Sequence, residues 1–211
     1  FDPNFNIDNP EEGIWPELRR AEANRFAYKL KQALDKTQAF GAVRVTPDST
    51  ASGDLYVLGR IEESDGEDVE IALTVVDISG KQWLDDDFDH EVQEGFYNSS
   101  RNDGKDPYDP VFEEAAVAIV KALKKRSIKE LDDLQYLADL QFGASFNDAA
   151  FAEYIDDSRT PTKLVGKPSD HDPLFERVKG IRVREQLFVD NLQQNYASFS
   201  QNMDESYLRW Q

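Results

Sequence analysis

The segment from Asp172 to Trp210 constrains the fold more than any other part of the chain. Leu174, Val178, Ile181, Phe188, Leu192, Phe199, Met203 and Trp210 advance by three, four or multiples of seven, the spacing of one face of an α-helix. Unbroken, about 38 residues rising ~1.5 Å each span roughly 57 Å. Gly180 is the weakest interior point of such a rod. A helix of this length must overhang a small body or lie across it. The aromatic residues Phe188, Tyr196, Phe199, Tyr207 and Trp210 fit two arrangements. They form either a partner-binding stripe that docks as a helix in a groove, or a core stripe packed on residues 128–157.

The first half of the chain has another rhythm. Trp15-Pro16-Glu17 opens a helix, with proline and acid in the first turn. Leu18, Ala23, Phe26, Ala27, Leu30, Ala33 and Leu34 form its apolar stripe, and Arg19, Arg20, Glu22, Arg25, Lys29 and Lys31 fill most of the other face. Phe40-Gly41 is expected to end it, with Gly41 in the left-handed position. Strands are expected at Ala42–Val45, Asp54–Glu62, Val69–Ile78 and Gln82–Val92. Asp65-Gly66 marks a hairpin between the second and third of these, and Ser79-Gly80-Lys81 turns the chain into the last. In that last strand Leu84, Phe88 and Val92 share a face with Asp86 and His90, while Trp83, Asp85, Asp87 and Asp89 point the other way. Such a charged strand suits a sheet edge. After a polar loop over 97–110, helix is expected from Val111 to Arg126. Ser127 caps a continuation carrying Leu131, Leu134, Leu137 and Leu140. Asn147-Asp148 starts a short helix, and residues 158–169 read as a linker.

Charge narrows the partners. The 211 residues carry 42 Asp and Glu against 24 Lys and Arg, a formal charge of -18, and most of the excess acid lies in residues 1–110. Such a surface repels a phosphate polymer, so nucleic acid is not an expected partner. The chain has no Cys, which excludes disulfides, thiolate metal sites and a Cys nucleophile. No apolar run approaches the ~18–20 residues of a membrane span.

Few motifs point to catalysis. His90 and His171 are the two histidines, they lie in different regions, and no His-Glu-x-x-His pattern occurs. No Gly-x-Ser-x-Gly elbow and no glycine-rich phosphate loop is present. The acidic runs Asp85-Asp86-Asp87-Phe88-Asp89 and Asp103-Gly104-Lys105-Asp106-Pro107-Tyr108-Asp109 supply hard oxygen ligands without the spacing of an EF-hand. Asp85, Asp87 and Asp89 share one face of a strand at steps of ~7 Å. Calcium held by Asp85, Asp87, Asp89, Asp103 and Asp106 is one reading of these runs, and a solvated, edge-protecting surface is the other. No further cofactor is expected.

The order helix, strand, hairpin, strand, helix resembles the small α/β domain of the TolB amino-terminal-like and CsgG-like bacterial envelope proteins. The likeness covers residues 1–125. It is carried by Phe1-Asp2-Pro3 as the tail of a strand, by Glu17-Leu18-Arg19-Arg20-Ala21-Glu22 through Leu34 leading into Phe40-Gly41-Ala42-Val43, by Asp54-Leu55-Tyr56-Val57-Leu58-Gly59-Arg60-Ile61, and by the Asp-x-x-Gly turn in Val75-Val76-Asp77-Ile78-Ser79-Gly80-Lys81. The resemblance implies residence in the periplasm, a lipid anchor at the outer membrane attached upstream of Phe1 after signal-peptide removal, and a role in assembling envelope machines.

Together these readings predict an α/β (α+β) protein: a small, mainly antiparallel sheet packed by helices. They divide it into an envelope-lipoprotein-like domain over 1–126 and a helical extension over 127–211. The expected function is non-enzymatic. The chain would be an accessory or assembly protein that binds a protein partner of the envelope, meets the membrane only through the anchor, and is open to forming a homo-oligomer.

Overall fold

A computed structural model of the chain describes residues 1–3, 16–46, 51–98 and 105–210, with the side chains of Asn98 and Trp210 excepted. The protein is mixed α/β. The elements are α1 (Pro16–Thr37), β1 (Leu55–Ser64), β2 (Asp68–Asp77), β3 (Gln82–Glu91), α2 (Asp109–Leu123), α3 (Ile128–Phe146), α4 (Asp148–Phe151), β4 (Ile155–Asp156), β5 (Lys163–Leu164) and α5 (Pro173–Trp210). The strands β1-β2-β3 form one antiparallel sheet in that order, and β4 and β5 form a two-stranded ribbon that takes in part of the expected linker.

Alternation in β1 and β2 sets the main core. Ile61, Val69, Ile71, Leu73, Val75 and Phe88 of the sheet meet Phe26, Leu30 and Leu34 of α1 and Val111, Phe112, Ala115 and Ile119 of α2, all buried. The Phe26 and Phe112 rings meet edge to face at 5.1 Å, and Phe1 closes on Phe26 at 5.9 Å. Phe1 reaches this place because Asp2 N–H donates to the Gly59 carbonyl at 2.8 Å, laying the first residues along the edge of β1. A β-carbon on Gly59 would stand 2.7 Å from the Phe1 ring, so a larger residue there would have to displace that ring. Leu140, Phe151, Phe175 and Val178 make a second, smaller core between α3, α4 and α5. Ser127 and Glu130 form the reciprocal capping box that starts α3.

Three expectations are corrected. First, α1 ends at Thr37, with Gln38 in the left-handed region at φ 53°. The Thr37 hydroxyl donates to the Leu34 carbonyl at 2.6 Å, and the early stop lets Phe40 and Val43 turn back onto the core. Second, residues 42–46 form no strand. The backbone of Val45 is satisfied on both sides by the Gln193 carboxamide, which accepts from Val45 N–H at 2.9 Å and donates to its carbonyl at 2.8 Å. Third, Trp83 does not share the acidic face of β3. Val75 pairs with Leu84 and Val76 with Gln82, so Trp83 is the extra residue of a bulge. Its ring turns in against the core, its indole N–H donates to Asp77 at 2.7 Å, and Arg126 lies over it at 4.8 Å. Asp77 also accepts from the Ser79 N–H, the Ser79 hydroxyl and the Lys81 N–H, which makes it the hub of the β2–β3 turn.

Candidate functional site

The inner face of α5 is tied to the body at successive levels, and those ties fix which face looks outward. Phe175 and Val178 sit in the smaller core. The buried Arg182 donates to Ser52 at 2.6 Å, to Asp139 at 2.8 Å and to Asp54 at 2.8 Å. Asp190 pairs with Arg44 at 2.6 Å, which holds its carboxyl below the usual range. Gln193 grips Val45. Near the end, Asp204 meets Arg25 at 3.1 Å, and Tyr207 enters the main core at 2% exposure.

Around Tyr207 lies a buried polar cluster. Glu22 accepts from the Tyr207 hydroxyl at 2.6 Å and from Ser64 at 2.7 Å, and lies 3.3 Å from Arg19. Arg25 bonds Asp106 at 2.8 Å and stacks over the Tyr207 ring at 4.6 Å, and Lys29 joins Asp106 at 3.0 Å. Burial holds the Glu22 carboxyl above the usual range, against the pull of Tyr207, Arg19 and Ser64. Burial and then the Glu22 charge push the Tyr207 phenol well up, so it stays a neutral donor. Arg19, Glu22 and Arg25, assigned from sequence to the solvent face of α1, are therefore interior. The sequence signal was a run of alternating sign at steps of three, Arg19-Glu22-Arg25, beside the apolar stripe.

The outer face of α5 carries the expected stripe in part. Phe188 is 65% exposed, and Leu174, Ile181 and Phe199 are also exposed, while Leu192 and Met203 lie half-buried at its border. Tyr196 is half-buried. Tyr207 is a core residue and leaves the docking set; Trp210 closes the helix, and its side chain lies outside the described residues. Arg177 and Arg184 flank the stripe, both exposed and, among the described residues, without an ion pair.

The expected calcium ligands do not form one set. Asp85, Asp87 and Asp89 stand exposed on the outer face of β3, opposite Thr74, Ala72 and Glu70, and Asp85 accepts from the Thr74 hydroxyl at 2.9 Å. Asp106 belongs to the buried cluster, because Arg25 and Lys29 neutralise it there. Asp103 lies outside the described residues. Among those residues, no three His, Asp or Glu converge closely enough to hold a metal ion. A groove of about 940 Å³ runs between the end of α1, residues 40–46 and β1, and is lined by Phe1, Leu34, Phe40, Val43, Leu55 and Val57 among others. Its described lining holds two carboxylates, Asp2 and Asp54, and Asp54 is bound to Arg182.

No helix among the described residues is long and apolar enough to cross a membrane. Comparison with known proteins found no matching family, no similar curated protein and no similar solved structure.

Proposed function

We propose that the protein is a non-catalytic docking protein of the bacterial envelope, joined to a protein partner by the outer stripe of α5. One observation carries the proposal: Leu174, Ile181, Phe188 and Phe199 line one face of a helix whose opposite flank is anchored by buried polar ties. At ~25 cal/mol per Å² of apolar surface, leaving such a line in water is costly unless another surface covers it. Arg177 and Arg184 beside the stripe add positive charge in a chain of net charge -18, which favours a partner with an acidic rim. The envelope setting is supported by the resemblance over residues 1–125.

Photo-crosslinking in intact cells tests the docking face. Phe188→p-benzoylphenylalanine is expected to give a discrete adduct. The same replacement at Val117, an exposed apolar residue of α2 (65%), serves as the control and is expected to give none. Equal yields at both positions, or no adduct at 188, would overturn the docking proposal. For the envelope setting, the sequence upstream of Phe1 is decisive: a signal peptide ending in a lipid-acceptor Cys supports it, and a cytosolic start removes its support.

A further inference from the structure

We infer that the surface received by α5 is a second copy of the same helix, bound antiparallel about residue 190; this rests on the docking reading above and names its partner. The middle of the stripe is symmetric about that position, and its end sets Leu174 level with the polar Ser206. Leu174, Ile181 and Phe188 precede residue 190 by the same intervals at which Ser206, Phe199 and Leu192 follow it. The steps are seven residues on each side and four across the middle, the change from d to a positions of a heptad. In an antiparallel pair of such helices, each a position stacks on a d position of the other. A twofold axis through residue 190 therefore sets Phe188 on Leu192 of the second copy and Ile181 on Phe199 of the second copy. Between these apolar layers it sets Asn195 level with residue 185 of the second copy, where the Glu185 carboxylate is turned to its own body and accepts from Ser52 N–H at 3.5 Å. A slip of one heptad would place Phe188 level with residue 185 and take the ring off its apolar partner Leu192.

The flanks of the stripe select the antiparallel direction. The exposed flank of the stripe reads Arg177, Arg184, Asn191, Ser198, Glu205 at steps of seven, and all five are exposed. Antiparallel pairing puts Arg177 beside Glu205 of the second copy at both ends, Arg184 beside Ser198, and Asn191 beside its own copy. Parallel pairing would instead bring this flank against the opposite flank of the second copy, Arg177 toward Arg182, and that flank is covered by the body. The other flank, with Phe175, Arg182 and Val189, is buried against the body and is out of reach.

A seam from residue 174 to 206 is ~48 Å long at ~1.5 Å per residue and ~10 Å wide, about 1,000 Å² in total, at the lower limit of stable interfaces. The pair should therefore form at tens of micromolar protein, at an ionic strength of ~0.15 M that screens the acidic bodies beyond ~8 Å.

Sedimentation equilibrium and single-cysteine crosslinking test this, helped by a chain that contains no Cys of its own. Wild type is expected to dimerise, and Phe188→Glu to weaken the dimer at least tenfold. Arg177→Glu should also weaken it, with Arg177→Glu/Glu205→Arg restoring it. Asn191→Cys should oxidise to a disulfide-linked dimer. Arg177→Cys alone should not, but should crosslink when mixed with Glu205→Cys. All these positions are exposed, and a thermal melt of each variant confirms folding. Wild type that is monomeric at ~200 µM, or Asn191→Cys no more reactive than Arg177→Cys, overturns the self-pairing. If a monomeric wild type still gives an adduct of another mass at position 188, the docking reading survives and only the second copy is excluded. No adduct and no dimer defeat both.

Discussion

Glu22 is the residue on which three elements converge: it lies on α1 and accepts hydrogen bonds from Ser64 of β1 and Tyr207 of α5. Removing the phenol leaves a buried acceptor short of a partner, which costs ~1–3 kcal/mol. Tyr207→Phe is expected to lower the melting temperature by several degrees at ~2–4 °C per kcal/mol for a chain of this size, read by circular dichroism. The pH dependence has a definite sign. The folded state holds the Glu22 proton more tightly than the unfolded chain does. Its contribution is therefore complete below the ordinary glutamate range and is lost as pH rises from that range through the raised folded value. Urea titrations across this window should show stability declining with pH by more in wild type than in Glu22→Gln. Equal slopes would remove Glu22 as the cause.

At the scale of elements, α5 runs unbroken through Gly180, which is exposed and has no atom within 4 Å of the position a β-carbon would take. Gly180→Ala should then stabilise the helix by ~0.5–1 kcal/mol, since only backbone entropy changes. An unchanged or lower unfolding free energy would show that something contacts this turn. The capping box of α3 gives the opposite case. Ser127→Ala removes the acceptor for the Glu130 N–H in the first turn and should cost ~1 kcal/mol, measured by urea unfolding. The segment Ala42–Val45 shows how an element can be lost although its residues favour it. Its alternation suits a strand, yet Gln193 of α5 supplies the hydrogen bonds a neighbouring strand would have given.

For the whole molecule, the division expected at residue 126 does not separate the packing, because the last turns of α5 return to the main core with Met203 and Tyr207. Ending the chain after Asn195 should lower the melting temperature by ten degrees or more, since loss of a buried aromatic alone costs ~3–5 kcal/mol. A truncated chain melting like wild type would show that the terminal half of α5 is a free appendage. Periodicity alone determined that α1, α2, α3 and α5 are helices, that β1, β2 and β3 alternate as strands, and that a long rod ends the described fold, though it also gave a strand at Ala42–Val45 that does not form. These depend on local spacing, and local spacing is written in the order of residues. Which face of the rod is covered depended on contacts between residues far apart in the chain: Arg182 with Asp54, Gln193 with Val45, Tyr207 with Glu22. No local pattern tells a tyrosine that fills a core from a phenylalanine that faces water on the same helix. The body packed against α5 made that choice, burying Tyr207 and leaving Phe188 outside.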